Sequence, residues 1–286
     1  MQEFQTIDVD DDGRIQIKRI RAISAVFPNV PEEIDIKLAL EKIEAKIKEE
    51  ATKAKVKVDQ NAFNNARGEW FEMLLAAKFF NLARESKRFC VFTIPNVLSV
   101  NYIDFFSEDV RSRIGELEKH LLAQGIELKM SNPDFLCVDL SKINRIISEE
   151  IINHPPITKF DTETAEFLEN LHKLFIGECP FGAIAFAVSA KTSVRPDRRY
   201  QFVHEGNVIK AITAHLQTRY WDTNTSIGYF ALTNKKPTKP DYEVMKTAAI
   251  SSITNVFAKS VKAVDEIFWI QNMGDVEDFF KKTTSS

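Results

Sequence analysis

The sequence predicts an α/β or α+β protein built on a central mixed β-sheet that is flanked by helices. Segments with the period of strands alternate with segments with the period of helices along the 286 residues. Residues 183–190 form a continuously apolar strand pattern, as expected at the centre of a sheet. Only 9 glycines occur in the chain, which disfavours repeat-rich β architectures and glycine-rich phosphate loops.

The individual elements are predicted from periodicity and from turn residues. Residues 4–20 alternate apolar and polar side chains around Asp12-Gly13, which is typical of a hairpin. The first half then continues with helices at 32–57 and 66–86, a strand at 89–94, a polar helix near 107–123 and a strand at 135–140. The second half contains helices within 141–178 interrupted at His154-Pro155-Pro156, the strand 183–190, a loop at 191–199, a helix at 200–220, a strand at 226–233, a Lys/Pro-rich loop at 234–240 and closing helices.

The chain is predicted to form one domain, with residues 1–60 as a hairpin-plus-helix elaboration at the N-terminus. The cysteines are odd in number and lie in apolar segments, which is typical of reduced, buried thiols in an intracellular protein: Cys90, Cys137 and Cys179. The N-terminus lacks the basic and apolar regions of a secretory signal, and the longest apolar run, 181–190, is too short to span a bilayer. We therefore expect a cytoplasmic protein with no membrane segment.

The charge of the chain is segregated. The total of −3 argues against a generically basic coat for nucleic acid, which needs a broad surplus of lysine and arginine. Residues 186–221, however, contain six basic and two acidic residues, a net charge of +4 that leaves −7 for the rest of the chain. The positive charge is concentrated in one strand–loop–helix unit.

Polar side chains collect at the carboxyl end of the apolar strand in this unit. Ser189 and Lys191 share one face by the period of two, and this end of a strand in an open α/β sheet is where ligands usually bind. Glu205 lies on the apolar stripe of the following helix, where a carboxylate is costly unless it pairs with a cation or binds a metal. A solvated lysine and a buried Glu–Lys or Glu–Arg pair are the structural alternatives.

Two further acids extend this pattern. Glu72 falls on the buried face of its predicted helix, and Asp134 opens the strand at 135–140. Each has a structural interpretation, since a Pro-Asp pair before a strand is most often a turn. Together with Lys191 and Glu205, these acids suit a divalent-metal phosphodiesterase, in which carboxylates hold Mg²⁺ and a lysine orients the attacking water.

The loop Arg195-Pro196-Asp197-Arg198-Arg199 is a candidate for reading DNA bases. Arginine donates bidentately to guanine O6 and N7 in the major groove, and aspartate accepts from cytosine N4. An aspartate between arginines can therefore read a G·C pair, or it can simply neutralise its neighbours. A charge cluster of this size is also common on a solvated surface or at a phosphate contact.

Several segments resemble the type II restriction endonucleases that cut before the CCGG core of RCCGGY. These are KTSVRPDRRYQFVHEGNVIKAITAHLQTRYW at 191–221, SNPDF at 131–135, NNARGEWFE at 64–72 and AVDEIF at 263–268. The resemblance implies the PD-(D/E)xK nuclease fold, with residues 64–286 as the catalytic and DNA-reading core. It also implies a permuted acid, with Ser189 at the family's usual acid position and Glu205 supplying the missing carboxylate.

The same resemblance assigns the remaining roles. Asp134 and Glu205 are the implied Mg²⁺ ligands, Lys191 orients the nucleophile, and Glu72 is a supporting acid. Arg195, Asp197 and Arg198 match the family's residues that read the central CCGG, and Asn65 matches a position near the outer base pair.

The resemblance also implies an oligomer. The family joins dimers into tetramers that bind two DNA sites, and Trp221 and Asn255 match positions at the dimer–dimer contact. A core aromatic residue and a polar loop residue are their structural alternatives. A cognate methyltransferase in a prokaryotic host is the implied companion.

Three other functions define what would contradict this interpretation. A nuclease of the same fold in repair or junction resolution would cut according to DNA structure and not according to CCGG. A non-catalytic DNA-binding regulator would gain nothing from the acid set. A metal hydrolase with a zinc cluster is disfavoured because the histidines lack zinc-ligand spacing: His120, His154, His172, His204 and His215.

Overall fold

The computed structural model describes residues 4–9, 15–97, 99–129, 131–254 and 260–285. Within these ranges the strands are β1 (Ile7–Val9), β2 (Ile15–Ile17), β3 (Phe89–Thr93), β4 (Phe135–Asp139), β5 (Ile184–Lys191), β6 (Gly228–Thr233) and β7 (Glu266–Trp269). The helices are α1 (Arg19–Val26), α2 (Ile36–Lys53), α3 (Gln60–Ser86), α4 (Glu108–Leu122), α5 (Arg145–Asn153), α6 (Thr162–Asn170), α7 (Pro196–Tyr220), α8 (Lys239–Met245), α9 (Ile250–Thr254) and α10 (Met273–Thr284).

Five strands form the main sheet in the order β3-β4-β5-β6-β7. The pairs β3–β4 and β4–β5 are antiparallel, whereas β5–β6 and β6–β7 are parallel. The sheet is therefore mixed, and the continuously apolar strand β5 lies at its centre, which confirms the predicted fold class and the predicted central strand.

The register of β5 places residues of three neighbouring strands side by side at the carboxyl end of β5. Val188 of β5 pairs with Phe135 at the start of β4, and Lys191 pairs with Thr233 at the end of β6. Because β4 runs antiparallel to β5, the residue that precedes β4 lies beside the last residues of β5. Asp134 occupies that position.

Helices cover both faces of this sheet. On one face, Phe186 of β5 and Phe230 of β6 meet the edge of Phe279 of α10, with ring centroids 5.8 and 5.7 Å apart. Phe79 of α3 joins the same cluster at 6.0 Å from Phe279. The opposite face is covered by α7, whose Glu205 hydrogen-bonds to β5 and β6. Alternate residues of β5 therefore serve the core and the site.

Three elements differ from the sequence prediction. The hairpin, predicted to reach residue 20, ends with β2 at Ile17, and residues 19 and 20 begin α1, in which Ala22 and Ile23 are buried. Helix α7 begins at Pro196 and not at 200, since proline favours the first helical turn, where its missing N–H costs no hydrogen bond. Strand β7 replaces part of the predicted closing helices, because a four-residue strand is too short for periodicity to identify.

The pairing of the N-terminal strands and the burial of the cysteines are confirmed. Strands β1 and β2 pair in antiparallel register, Ile7 opposite Ile17, whereas the Asp12-Gly13 turn lies outside the described residues. The three cysteines are buried and carry free thiols. In the part of the chain that the structure describes, no helix is both long enough and apolar enough to cross a bilayer.

Candidate active site

Asp134 and Lys191 form an ion pair at the carboxyl end of β5. Lys191 Nζ donates to both carboxylate oxygens of Asp134, at 2.8 and 2.7 Å. Asp134 Oδ2 also accepts from the backbone N–H of Ala190 at 2.6 Å, and the Asp134 carbonyl accepts from the N–H of Ile94 at 2.9 Å. Asp134 is thus held between β5 and the end of β3.

The fully buried carboxylate of Glu205 is held by a set of neutral donors. Its Oε1 accepts from Ser131 at 2.9 Å and from Gln201 at 2.8 Å, and its Oε2 accepts from Tyr229 at 2.7 Å and from Ser189. Among the described residues, no lysine or arginine forms a salt bridge with it. The buried Glu–Lys or Glu–Arg pair, the structural alternative for this carboxylate, is therefore absent from the described residues.

The pKa values of Glu72 and Lys191 are both raised at this site, for different reasons. Burial raises the pKa of Glu72 to about 8, and the nearby charge of Asp134 adds to the rise while Lys191 opposes it. Burial alone would lower the pKa of Lys191, but Asp134, Glu72 and Glu205 outweigh it and raise the pKa. Lys191 therefore keeps its charge at neutral pH, and Glu72 holds a proton more readily than an exposed glutamate does.

The candidate base readers lie in the first turn of α7 and are accessible. The side chains of Arg195, Asp197 and Arg198 are 63, 59 and 38% exposed. Arg195 donates to Asp197 at 3.1 Å, and Arg198 donates to Gln201 at 2.7 Å. The predicted base-reading loop is thus the start of a helix, only about two turns from Glu205 along the same element.

Two of the remaining predicted residues, Asn65 and Trp221, are accessible. Asn65 is exposed on α3, seven residues before Glu72 and therefore on the same side of that helix. Trp221 follows α7 with a left-handed φ of 52° and is 94% exposed, so it is not a core aromatic residue. Asn255 lies outside the described residues.

Oxygen donors at the site fit a divalent cation such as Mg²⁺. Asp134 and Glu205 each hydrogen-bond to neighbouring residues of β5, at Ala190 and Ser189. Among the described residues, no cluster of three or more His, Cys, Asp or Glu side chains is arranged to hold a metal ion. A two-carboxylate site suits Mg²⁺, which keeps several of its waters and takes one or two protein carboxylates.

Sequence reasoning missed four residues of the site. Ser131, Gln201 and Tyr229 donate to Glu205, and Gly206 lets α7 approach the sheet. A Cβ at Gly206 would lie 2.0 Å from the carbonyl oxygen of Ala263 and 2.8 Å from Tyr229 Cδ1. A glycine inside a helical pattern was an available signal, and so was Gln201 at four residues before Glu205.

A mixed five-stranded sheet with an Asp–Lys pair and a buried acid at the carboxyl end of its central strand has the architecture of a metal-dependent nuclease. The family model "Cfr10I/Bse634I restriction endonuclease" matches residues 5–286, and the chain belongs to this family. It is therefore a type II site-specific deoxyribonuclease that acts on DNA, and the resemblance identified from the sequence is confirmed.

Individual relatives agree with this assignment. The chain is 33% identical over 242 residues to the type II restriction enzyme Cfr10I of Citrobacter freundii, covering 84% of each protein. It superposes on the type IIF restriction endonuclease Bse634I with cognate DNA at a TM-score of 0.90 and 30% identity, covering 98% of this chain and 97% of the other. A second Bse634I structure gives a TM-score of 0.88, 30% identity and 97% coverage of both chains.

Proposed function

We propose that the protein is a Mg²⁺-dependent restriction endonuclease that cleaves duplex DNA at CCGG-core sites, R^CCGGY, and leaves 5′-phosphate CCGG overhangs. One observation carries this proposal: Asp134, Lys191 and Glu205 lie together at the carboxyl end of β5. About two helical turns away along α7 is an exposed cluster, called here the Arg–Asp–Arg cluster, of Arg195, Asp197 and Arg198. The enzyme would act in the cytoplasm of a prokaryote beside a cognate methyltransferase.

The chain's own residues supply most of the proposed mechanism. Asp134 and Glu205 would hold Mg²⁺, which when bound supplies positive charge that stabilises the negative charge developing on the phosphate. Lys191, charged and only 16% exposed, orients the water that attacks phosphorus in line. The bond to the 3′ oxygen breaks, so the products are a 5′-phosphate and a 3′-hydroxyl.

Ser189 has a positioning role in this mechanism. Its hydroxyl donates to Glu205 Oε2 from the strand position where the family's usual acid is replaced. Tyr229 donates to the same oxygen from β6, so the carboxylate is fixed relative to two neighbouring strands. Glu72 is the supporting acid beside this site, and its pKa is raised by burial and by the nearby charge of Asp134.

The numbers of donors and acceptors in the exposed Arg–Asp–Arg cluster suit the bases of a symmetric CCGG core. In a homodimer each protomer reads half of the four base pairs, and each half contains two guanines and two cytosines. Arg195 and Arg198 can each donate to one guanine, and Asp197 can accept from cytosine N4. Asn65 is proposed to lie near the outer base pair.

Removing Arg198 should weaken binding to a CCGG duplex without Mg²⁺ by about 2 kcal/mol, or about 30-fold, because one bidentate guanine contact is lost. Fluorescence anisotropy with labelled duplexes measures this effect for Arg198→Ala. Arg145→Ala on α5, at an 87% exposed arginine outside the site, is the matched control. Equal loss of affinity for CCGG and for unrelated sequences would indicate a phosphate contact instead.

Trp221 is the proposed anchor of a tetramer in which two dimers join, and Asn255 is the second residue proposed for this dimer–dimer contact. A 94% exposed tryptophan at the end of a helix is typical of a protein contact, since large aromatic side chains dominate such interfaces. We expect Trp221→Ala to raise the tetramer dissociation constant about a hundredfold in analytical ultracentrifugation. Ile146→Ala, which changes a 73% exposed residue of α5, should leave the tetramer intact. Unchanged assembly of Trp221→Ala would contradict this contact.

Digestion of a plasmid that carries one RCCGGY site tests the proposed function. With Mg²⁺ the enzyme should linearise the plasmid, and ligation should show 5′-phosphate CCGG overhangs. Cleavage that follows cruciform or mismatched structures would instead favour a repair or junction-resolving nuclease. Binding without any cleavage would favour a non-catalytic DNA-binding protein.

A further inference from the structure

All the lone pairs of the Glu205 carboxylate accept hydrogen bonds from neighbouring side chains. A carboxylate offers about four lone-pair directions, and Ser131, Gln201, Ser189 and Tyr229 donate to its two oxygens. A cation can bind Glu205 only if one of these donors leaves. The donor that leaves therefore determines which part of the protein controls cation binding at Glu205.

Gln201 is the donor that connects Glu205 to the base-reading segment. Its Nε2 donates to Glu205 Oε1 at 2.8 Å, and its Oε1 accepts from Arg198 Nη1 at 2.7 Å. The three residues are spaced i, i+3 and i+7 along α7, so they share one side of the helix. A continuous hydrogen-bonded chain thus runs from a 38% exposed arginine to a fully buried carboxylate.

The orientation of the Gln201 amide is determined from both ends. Arginine can only donate, so the amide oxygen must face Arg198, and the amide nitrogen, which donates, then faces Glu205 Oε1. When Arg198 turns its terminal nitrogens to guanine, Gln201 loses the donor that holds its oxygen in place. The amide is then free to rotate away from Glu205.

We propose that Gln201 is a positioning residue that keeps Glu205 Oε1 closed to a divalent cation until Arg198 leaves it to read a guanine. The proposal rests on the proposed function, because it takes Arg198 as a base reader and Glu205 as a metal ligand. Discrimination between sites then arises at the metal-binding step as well as in DNA affinity. Ser131, Ser189 and Tyr229 remain to orient the carboxylate after Gln201 has moved.

Gln201→Met tests this role, because methionine keeps the size of the side chain and removes both hydrogen bonds. In the DNA-free protein we expect Mn²⁺, titrated as a probe, to bind about fivefold more tightly than to the wild type, because one lone pair of Glu205 is released. We also expect the ratio of cleavage rates at CCGG and at a site with one altered base pair to fall about tenfold. Gln124→Met, at an exposed glutamine after α4, is the matched control and should change neither value.

Failure of either expectation overturns the proposal. A merely structural role would lower cognate cleavage and leave Mn²⁺ affinity unchanged or weaker. Gln201→Ala provides a second variant if Gln201→Met does not fold, and it should give the same two shifts. If the wild type does not cut CCGG sites, the proposed function fails, whereas the Mn²⁺ titration of DNA-free protein still decides whether Gln201 closes Glu205.

Discussion

Replacing Lys191 by alanine is expected to lower the single-turnover rate of cleavage at a CCGG site about 10³-fold. The ammonium group contacts both oxygens of Asp134, at 2.8 and 2.7 Å, and it is the group proposed to orient the attacking water. Its loss removes the group that orients the nucleophile and leaves Asp134 beside Glu72 without a balancing charge. Rapid-quench measurement with a labelled duplex in Mg²⁺ gives the rate.

DNA binding separates this effect from misfolding. Lys191 is 16% exposed and does not belong to the base-reading cluster, so Lys191→Ala should bind the cognate duplex nearly as the wild type does. Lys37→Ala on α2 removes a 77% exposed lysine and serves as the matched control for cleavage. A Lys191→Ala variant that cuts within tenfold of the wild-type rate would contradict the role of Lys191 in the mechanism. It would not contradict the nuclease activity of the protein.

Gly206→Ala is expected to lower the free energy of unfolding by about 3 kcal/mol. The added Cβ would stand 2.0 Å from the Ala263 carbonyl oxygen, which is backbone and cannot rotate aside, and 2.8 Å from Tyr229 Cδ1. Helix α7 must therefore shift away from the sheet, and the neighbouring Glu205 loses its fixed distance from Tyr229. Urea unfolding followed by circular dichroism measures the change.

A second helical glycine gives the matched control for this prediction. Gly68 in α3 has nothing within 4 Å of the position that a Cβ would take. Gly68→Ala should therefore raise the stability by about 0.5 to 1 kcal/mol, since alanine loses less backbone entropy than glycine in a helix. Equal effects of the two substitutions would contradict the packing of α7 against Ala263.

The central part of the fold could be predicted because its signals are local. The apolar run of β5 indicated a buried central strand, and the stripe on α7 placed Glu205 against the core before any contact was known. The segregated positive charge likewise indicated where the exposed arginines would lie. Each of these signals is contained within one element, so periodicity was sufficient to find it.

The partners of these residues could not be predicted from periodicity. Asp134 and Lys191 are 57 residues apart, and Ser131 and Glu205 are 74 apart. The sheet register brings the first pair together, and the packing of α7 against the sheet brings the second pair together. The family resemblance supplied the first pair but not the donors around Glu205. The short strand β7 was missed for a related reason, because its pairing with β6 defines it more than its own sequence does.

The most direct test of the account is the sequence of the cut ends from a library of duplexes with a randomised six-base-pair window, digested in Mg²⁺. The proposed function predicts 5′ ends that begin with CCGG and come from sites of the form RCCGGY. No such ends should form with Lys191→Ala. Cut ends without a CCGG core, or no cleavage by the wild type, would contradict the account.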